Sequence, residues 1–344
     1  MKFDIIIVGS GPAGLGAAFH ISENSNKKIL LIDKESISVG GLRNDCKQNY
    51  LFPIGFSKEY WNEKNASELL EIVAQHLNPT YEKQNNIKKY VERAEKISVK
   101  LLEIKQAHVG TDKSKILISN LIEQLKNLNV DISLNTNCKE INYEKRTIKI
   151  ENTKTQEEQE IEFEDLILAP GRAGFKWLQN YMNKFNIKYS DNIIDIGVRL
   201  EMHQKNYSIV NDYYDPKFIF PENVRTFCTN SGSAYIVKEN YKDYYSINGH
   251  AYSQNQRTNN LVNFAILKTI KLTDPVASGQ EFAKILGQAA MNLGGGKPIM
   301  QRIGDFKFNK RSKRETFNED LYDFKPTLPD CTPGDISLAV PAKI

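Results

Sequence analysis

FDIIIVGSGPAG, at residues 3–14, is the stretch that decides the fold of this chain. Its first six residues are mostly apolar and β-branched, which is typical of a buried strand in a parallel sheet. Three glycines follow at Gly9, Gly11 and Gly14, and residues 15–21 then have helical character. The stretch therefore predicts a strand, a tight glycine turn and a helix.

A second apolar strand is predicted at Ile29–Ile32, and it ends on Asp33, 19 residues after Gly14. In this spacing the first glycine allows the tight turn, the second lets a diphosphate approach the backbone, and the third lets the helix pack on the strand. The N–H groups and the positive dipole end of the helix then face the phosphates. A carboxylate at Asp33 is placed to accept hydrogen bonds from both ribose hydroxyls. These residues predict a dinucleotide site without separating FAD from NAD.

Length and composition set further bounds. The 344 residues are enough for two domains, and a net charge of +4 does not by itself indicate a nucleic-acid or anionic membrane partner. No apolar run reaches about 18 residues, so no transmembrane helix and no membrane partner are predicted. A strand that begins at residue 3 leaves no room for a signal peptide.

The four cysteines are scattered along the chain, at Cys46, Cys138, Cys228 and Cys331. No two of them form a CxxC pair, which argues against a zinc site and against a disulfide framework. We therefore expect no metal site and a reducing, cytoplasmic setting. Cys46 is a candidate redox-active thiol, although a dithiol relay would need a partner cysteine.

A glycine pair and a dense set of polar residues follow the second predicted strand. Gly40 and Gly41 precede Arg43, Asn44 and Lys47. Such a loop indicates a backbone that lies against a ligand, and the polar side chains are candidates to donate hydrogen bonds to a ligand carbonyl or a substrate anion. A solvated surface loop is the alternative.

The next part of the chain is predicted to be mostly helical, with helices at 66–77, 86–105 and 114–128. Strands are predicted at 131–136 and 147–150. His108 lies beside a Gly-Thr turn and is the histidine of this part for which a ligand-facing role is predicted, with a structural turn histidine as the alternative.

From residue 191 the pattern changes to short strands at nearly regular spacing, which predicts a mainly antiparallel sheet in a separate domain. These strands are predicted at 193–201, 224–230, 234–238, 244–252 and 260–267, with a helix at 275–293. Four polar residues of this part are candidates for a wall that contacts the substrate: Arg199, Arg225, Asn248 and His250.

Two later stretches have an open interpretation. Residues 293–305 are rich in glycine and predict either a phosphate-binding nest or ordinary turns. Residues 307–314 form a basic run that would contact nucleic acid or a phosphorylated substrate, or else would be a solvated loop.

Taken together, the motifs resemble the bacterial and archaeal FAD-dependent dehydrogenases of unassigned substrate, within the broad glutathione-reductase-like flavoprotein superfamily of NAD(P)/FAD-dependent oxidoreductases. The resemblance covers nearly the whole chain. It is carried by the glycine fingerprint with Asp33 and by residues 40–45, 108–112, 168–172, 195–199, 224–228, 248–250 and 294–305. This resemblance is what identifies the expected cofactor as FAD. It does so in particular through an acid, an apolar strand and a glycine turn at residues 165–172.

The resemblance implies an α/β fold, with a Rossmann-like FAD-binding domain of the GR2 type and an inserted, mainly antiparallel β domain for the substrate. The FAD-binding domain would cover 1–180, made of a βαβ unit at 1–34, a helical excursion at 58–106 and a return at 107–180. The second domain would cover 181–330. Residues 331–344 would begin a truncated return to the FAD domain, since Gly334 and Asp335 precede an apolar run rather than end it.

The resemblance also implies an oxidoreductase that moves a hydride through FAD, with a small-molecule substrate and with NAD(P)H as a candidate electron donor. The implied cofactor-binding residues are Gly9, Gly11, Pro12, Ala13, Gly14, Asp33, Lys34, Gly41, Leu42, Arg43, Ala169 and Gly171. The implied substrate-side residues are Asn44, Lys47, His108, Arg199, Arg225, Asn248 and His250. No catalytic residue and no oligomeric state is predicted.

Three other functions fit parts of the sequence. A reductase of isoprenoid lipids, like geranylgeranyl reductase, would share the early fold, but the tyrosines and charges after residue 181 do not indicate an apolar tunnel. A flavin-dependent RNA-modifying or RNA-binding protein would use the basic run, including Lys310, Arg311 and Arg314. A truncated, non-catalytic FAD-binding chain is the third.

Overall fold

The computed structural model describes residues 1–36, 42, 46–54, 56–82, 84–190, 193–241, 243–252, 258–272, 278–317 and 325–341. Gly40, Gly41, Arg43 and Asn44, which the sequence predicts to contact a ligand, lie outside the described residues.

The β-strands are β1 Lys2–Val8, β2 Ile29–Ile32, β3 Gln48–Tyr50, β4 Thr80–Tyr81, β5 Lys100–Leu101, β6 Lys105–His108, β7 Asp131–Ser133, β8 Thr136–Asn142, β9 Thr147–Asn152, β10 Glu158–Leu168, β11 Ile194–His203, β12 Phe218–Phe220, β13 Val224–Gly232, β14 Ala234–Asn240, β15 Tyr245–Ala251, β16 Leu261–Ile270, β17 Ile299–Met300 and β18 Thr332–Pro333. The α-helices are α1 Pro12–Asn24, α2 Glu63–Leu77, α3 Ile87–Glu95, α4 Ser114–Asn127, α5 Phe175–Lys184, α6 Gly279–Leu293 and α7 Ile303–Lys307.

The chain divides into two compact units. Unit 1 consists of Met1–Gln48, Phe52–Thr80 and Ala107–Tyr189, and unit 2 of Asn49–Leu51, Tyr81–Gln106 and Ser190–Ile344. The domain limits given above, which assign cofactor and substrate to parts of the chain, stay predictions.

Unit 1 is built on a six-stranded sheet in the order β7-β2-β1-β10-β9-β8. Its first four strands are parallel, and β9 and β8 continue the sheet antiparallel. The strand predicted from residues 3–8 is central: Ile7 pairs with Leu31 on one side and with Ile167 on the other. The predicted α/β class with a parallel sheet is confirmed.

Apolar side chains cover both faces of this sheet, which explains why its central strands read as continuous apolar runs. On one face Ile5 and Ile7 pack with Leu15 of α1 and Ile118 of α4. On the other face the core is built from strands β1, β2 and β8–β10, with Trp177 and Tyr181 of α5 packed against it.

Unit 2 contains a five-stranded sheet in the order β11-β16-β13-β12-β5 and a separate β14–β15 hairpin. The pairs β11/β16, β13/β16, β12/β13 and β14/β15 are all antiparallel, which confirms the predicted arrangement. One face of the large sheet is apolar, and its residues Val262 and Phe264 pack with Leu101 and Tyr213 in a single core cluster.

Two secondary-structure predictions are wrong. The helix predicted at 86–105 ends at Glu95, because Ser98 turns the chain with a φ of 57° and Leu101 then enters the sheet of unit 2 beside Phe218. The apolar stripe that suggested a longer helix included Ile97, which is 70% exposed. The strand predicted at 131–136 is two strands, because the chain turns at Asn135 with a φ of 53°.

A buried tyrosine links two segments of unit 2 that are distant in sequence. The Tyr213 hydroxyl donates to the Leu102 carbonyl at 2.6 Å and accepts from the Ile104 N–H at 3.1 Å. The side chain is fully buried, and burial raises the pKa of Tyr213 to about 12, so that the hydroxyl stays protonated at neutral pH.

We expect Tyr213→Phe to lower the free energy of unfolding by about 1–3 kcal/mol, because it removes the partner of a partly buried carbonyl and of a buried N–H. Urea unfolding followed by circular dichroism measures this loss. Tyr81→Phe is the matched control: Tyr81 is 44% exposed, and we expect a change within about 0.5 kcal/mol. Equal stability of both variants would contradict the prediction.

Candidate functional site

The glycine turn after β1 is closely packed in unit 1. Gly9 has a φ of 107°, and a Cβ atom at this position would lie 2.1 Å from the Ala169 carbonyl oxygen. A Cβ atom at Gly14 would lie 1.8 Å from the Gly9 carbonyl oxygen. Both positions therefore need glycine, which keeps α1 against the end of β1 and keeps β1 beside the end of β10.

The N-terminus of α1 presents backbone donors. Gly11 is the N-cap residue, has no side chain to cap the helix, and is followed by Pro12 at the first helical position. The first turn contains no acidic residue, and Pro12 and Ala13 are exposed. The positive end of the helix dipole is therefore not neutralised within α1, and it suits an anion such as a diphosphate.

Asp33 is 8% exposed and is held by donors of the glycine turn. Its Oδ2 accepts from the backbone N–H and from the hydroxyl of Ser10, both at 2.7 Å, and its Oδ1 accepts from the Glu35 N–H at 2.9 Å. A carboxylate has about four acceptor sites, so roughly one remains for a ribose hydroxyl. The two hydrogen bonds to ribose expected from the sequence would require the Ser10 hydroxyl to turn away.

The other predicted cofactor residues of unit 1 take several positions. Ala169 follows β10, and its N–H donates to the Val8 carbonyl at 2.8 Å. Gly171 and Lys34 are exposed, and Gly171 has a φ of 63°. Leu42 is 6% exposed and its side chain lies in the core beside α1 and α4, so only its backbone would be available to a cofactor.

Three further candidates of unit 1 are described. Lys47 and His108 are both partly buried. Cys46 is 6% exposed and belongs to the same core cluster as Leu15, which places it as a packed side chain and does not favour the redox role considered from the sequence. Among the residues described, no group of three or more His, Cys, Asp and Glu side chains is arranged to hold a metal ion.

In unit 2 the structure separates the four predicted substrate-side residues. Arg199 and Arg225 share one face of the large sheet, because Arg199 lies opposite Ala265 and Arg225 opposite Leu267. Arg225 forms an ion pair with Asp195 at 2.5 Å. Asn248 and His250 alternate with Gly249 along β15, so their side chains project from the face of the hairpin opposite to the face of Gly249.

Arg199 is surrounded by polar groups. Its Nη1 donates to the Asn263 side-chain oxygen at 2.6 Å and to the Cys228 carbonyl at 3.1 Å. A Cβ atom at Gly249 would lie 2.4 Å from Arg199 Nη1, so the hairpin packs directly on the guanidinium. Burial lowers the pKa of Arg199 from its ordinary value, although the group stays charged at neutral pH.

The basic run is exposed at every cationic side chain: Lys307, Lys310, Arg311, Lys313 and Arg314. Ser312 within the run is buried, and its hydroxyl donates to Asp305 at 2.6 Å. Phe308 is 74% exposed, and the Lys310 ammonium lies 6.0 Å from its ring centroid. The run's role, as a contact with nucleic acid or a phosphorylated substrate or as a solvated loop, stays a prediction.

The sequence pattern of the pyridine nucleotide-disulphide oxidoreductases matches residues 3–195, which is more than half of the chain. The chain belongs to this family. The predicted membership in a family of NAD(P)/FAD-dependent oxidoreductases, and the Rossmann-like nucleotide-binding fold that goes with it, are thereby confirmed.

A protein of Clostridium beijerinckii, described as uncharacterized, is 24% identical over an aligned length of 360, which covers 94% of this chain and 65% of the relative. This chain thus spans 65% of that protein's length. Among solved structures, L-amino acid deaminase from Proteus vulgaris has a TM-score of 0.45 at 10% identity, covering 83% of this chain and 66% of the deaminase. Glycine oxidase from Bacillus cereus has a TM-score of 0.40 at 12% identity, covering 80% of this chain and 75% of the oxidase.

Sequence reasoning missed three residues. Ser10 orients Asp33, and its position inside the glycine fingerprint was the available signal. Asn230 and Asn263 are both fully buried beside Arg199. Nothing in the local sequence distinguishes these asparagines from surface residues, because only the strand register brings them together.

No helix within the described ranges is both long and apolar enough to cross a membrane.

Proposed function

We propose that this chain binds FAD and belongs to a FAD-dependent oxidoreductase whose substrate is a small molecule. The observation that supports this most strongly is the combination of the glycine turn and Asp33 in unit 1. The turn excludes side chains at Gly9 and Gly14, the N-terminus of α1 carries no acidic residue, and Ser10 fixes the carboxylate. Each of these features suits one part of an ADP group.

In this function the chain's own residues bind and orient the cofactor. The N–H groups at the start of α1 would hold the diphosphate, and Asp33 would accept a hydrogen bond from the adenosine ribose. FAD, when bound, supplies the group that accepts or gives a hydride. NAD(P)H is proposed as the electron donor on the strength of the family membership. In unit 2, the face of the large sheet that carries Arg199 and Arg225 is proposed as the side that contacts the substrate.

The absorption spectrum of the purified protein tests this proposal. We expect flavin bands and an extractable cofactor that is FAD, or else tight binding of added FAD by the colourless protein. FMN is the matched control, because it has the same ring but lacks the adenosine that Asp33 would contact, and we expect it to bind at least about tenfold more weakly. A protein that stays colourless after incubation with FAD would overturn the proposal.

A further inference from the structure

The basic run, residues 307–314, concentrates the positive charge of the protein. It carries five cations and no acidic residue within eight positions, whereas the net charge of the whole chain is only +4. The rest of the chain therefore has a net charge of −1. All five cationic side chains are exposed, and none of them forms an ion pair with a residue that the structure describes. They are available to an anionic partner, and they attract it most strongly at low ionic strength.

Hydrogen bonds hold the backbone of the run at two points. Ser312 is 1% exposed, its N–H donates to the Gly334 carbonyl at 3.1 Å, and its hydroxyl donates to Asp305 at 2.6 Å. The Lys310 N–H donates to the Asp305 carbonyl at 2.8 Å, and the Lys310 carbonyl accepts from Gln301 Nε2 at 2.8 Å. The exposed cations therefore extend from an anchored backbone, and a partner does not have to order this segment in order to bind it.

Two aromatic rings are exposed at the start of the run. Phe308 is 74% exposed, and Phe306, immediately before the run, is 47% exposed. Lys307 lies between them in sequence, and the Lys310 ammonium lies 6.0 Å from the centroid of the Phe308 ring. Rings and cations therefore alternate over residues 306–310.

A single strand of nucleic acid matches this alternation. Its phosphates are anions that Lys and Arg neutralise, and its unpaired bases offer flat faces on which aromatic side chains stack. A duplex offers the phosphates but hides the base faces within its own stack. The surface of an anionic bilayer needs apolar side chains on one face of a segment and cations on the other. The pattern at residues 306–310 therefore favours the single strand over both.

We propose that residues 306–314 bind single-stranded nucleic acid, with the cations of the basic run on the phosphates and with Phe306 and Phe308 against the bases. This partner is additional to the proposed function, because it contacts the surface of unit 2 and does not require a bound flavin. RNA and DNA share the chemistry on which the proposal depends.

Fluorescence anisotropy with red-fluorescent oligonucleotides tests the proposal on the purified protein. The probes are an oligouridylate of about 12 nucleotides, the corresponding oligodeoxyuridylate, and a duplex of the same length. We expect the single strands to bind at least about fivefold more tightly than the duplex. With about three phosphate contacts, raising the salt concentration from about 50 to about 200 mM is expected to weaken single-strand binding about 20-fold. The two single strands differ in the ribose hydroxyl, so their comparison distinguishes RNA from DNA as the source.

Substitution of lysines locates the binding. We expect the double variant Lys310→Gln, Lys313→Gln to weaken oligouridylate binding at least about tenfold at low salt and to reduce its salt dependence. The double variant Lys88→Gln, Lys89→Gln is the matched control, because it removes the same two charges from exposed positions on α3 of the same unit. We expect the control to change the affinity by less than about twofold.

Phe308→Leu tests the stacking and separates a nucleic acid from a bilayer. It keeps an apolar side chain but removes the aromatic face, so we expect oligouridylate binding to weaken at least about threefold while its salt dependence stays the same. A bilayer would accept leucine in place of phenylalanine, so binding to vesicles of phosphatidylcholine and phosphatidylserine would be retained in this variant. Circular dichroism verifies that every variant is folded.

Four results would overturn the proposal: no binding of either single strand at low salt, equal affinity for single strands and duplex, equal losses in the two lysine double variants, or an unchanged affinity in folded Phe308→Leu. Binding to the vesicles without binding to the oligonucleotides would also overturn it and would assign this surface to a membrane. None of these measurements depends on FAD, so the proposed function and this proposal can fail separately.

Discussion

Gly9→Ala is expected to abolish FAD binding and to lower the free energy of unfolding by about 2–4 kcal/mol. The new Cβ atom would lie 2.1 Å from the Ala169 carbonyl oxygen and 2.8 Å from its carbonyl carbon, and the residue would have to keep a φ of 107°. The clash is with backbone, so no side-chain rotation relieves it. Either the turn opens or β1 separates from β10, and both changes displace the start of α1.

Gly16→Ala is the matched control for this variant. Gly16 lies on α1 only seven residues further along, is exposed, and has no atom within 4 Å of its added Cβ. We expect it to raise the free energy of unfolding by about 0.5–1 kcal/mol, because glycine is a poor helix former, and to leave FAD affinity unchanged. Urea unfolding and FAD titration measure both effects. If Gly9→Ala bound FAD normally, the packing of the turn would not be a requirement of the site.

Asp33→Ala is expected to lower FAD affinity about 10- to 100-fold. The substitution removes the proposed acceptor for the ribose hydroxyl, and it also releases Ser10, whose N–H and hydroxyl both donate to Asp33 at 2.7 Å. Because the buried Ser10 N–H and hydroxyl then lose the carboxylate to which they donate, we also expect a loss of about 1–3 kcal/mol in the free energy of unfolding. Fluorescence titration with FAD and urea unfolding measure the two effects.

Asp4→Ala separates the two consequences. Asp4 also accepts a backbone hydrogen bond, from the Lys28 N–H at 2.7 Å, but it is five residues before Gly9, near the beginning of β1. We expect a smaller loss of stability and no change in FAD affinity. Equal FAD affinities for Asp33→Ala and Asp4→Ala would remove Asp33 from the proposed site.

The nucleotide-binding half of the fold could be predicted in detail because its signal is local. Glycines at 9, 11 and 14 impose a turn and a close helix, and the apolar runs on either side have the length of buried strands. Every one of these residues acts within about 30 positions of the others. The family match over residues 3–195 agrees with this part of the prediction.

The failed prediction of a helix at 86–105 concerns a segment whose structure depends on distant partners. Residues 96–105 continue a helical stripe in the sequence, but Leu101 pairs with Phe218, more than 100 residues away, and Tyr213 holds the backbone at Leu102 and Ile104. Helix propensity is a weak preference, and tertiary packing overrides it here. Periodicity within the segment carries no information about such partners.

The sequence by itself determined β1 and β2 of unit 1, the glycine turn and the position of Asp33. It could do so because backbone sterics and apolar periodicity act between near neighbours in the chain. Only the tertiary structure decided that Ser10 holds Asp33 and that Arg199, Asn230 and Asn263 meet beneath Gly249. Those contacts depend on strand register, where a shift of one residue would turn each side chain to the other face of its sheet.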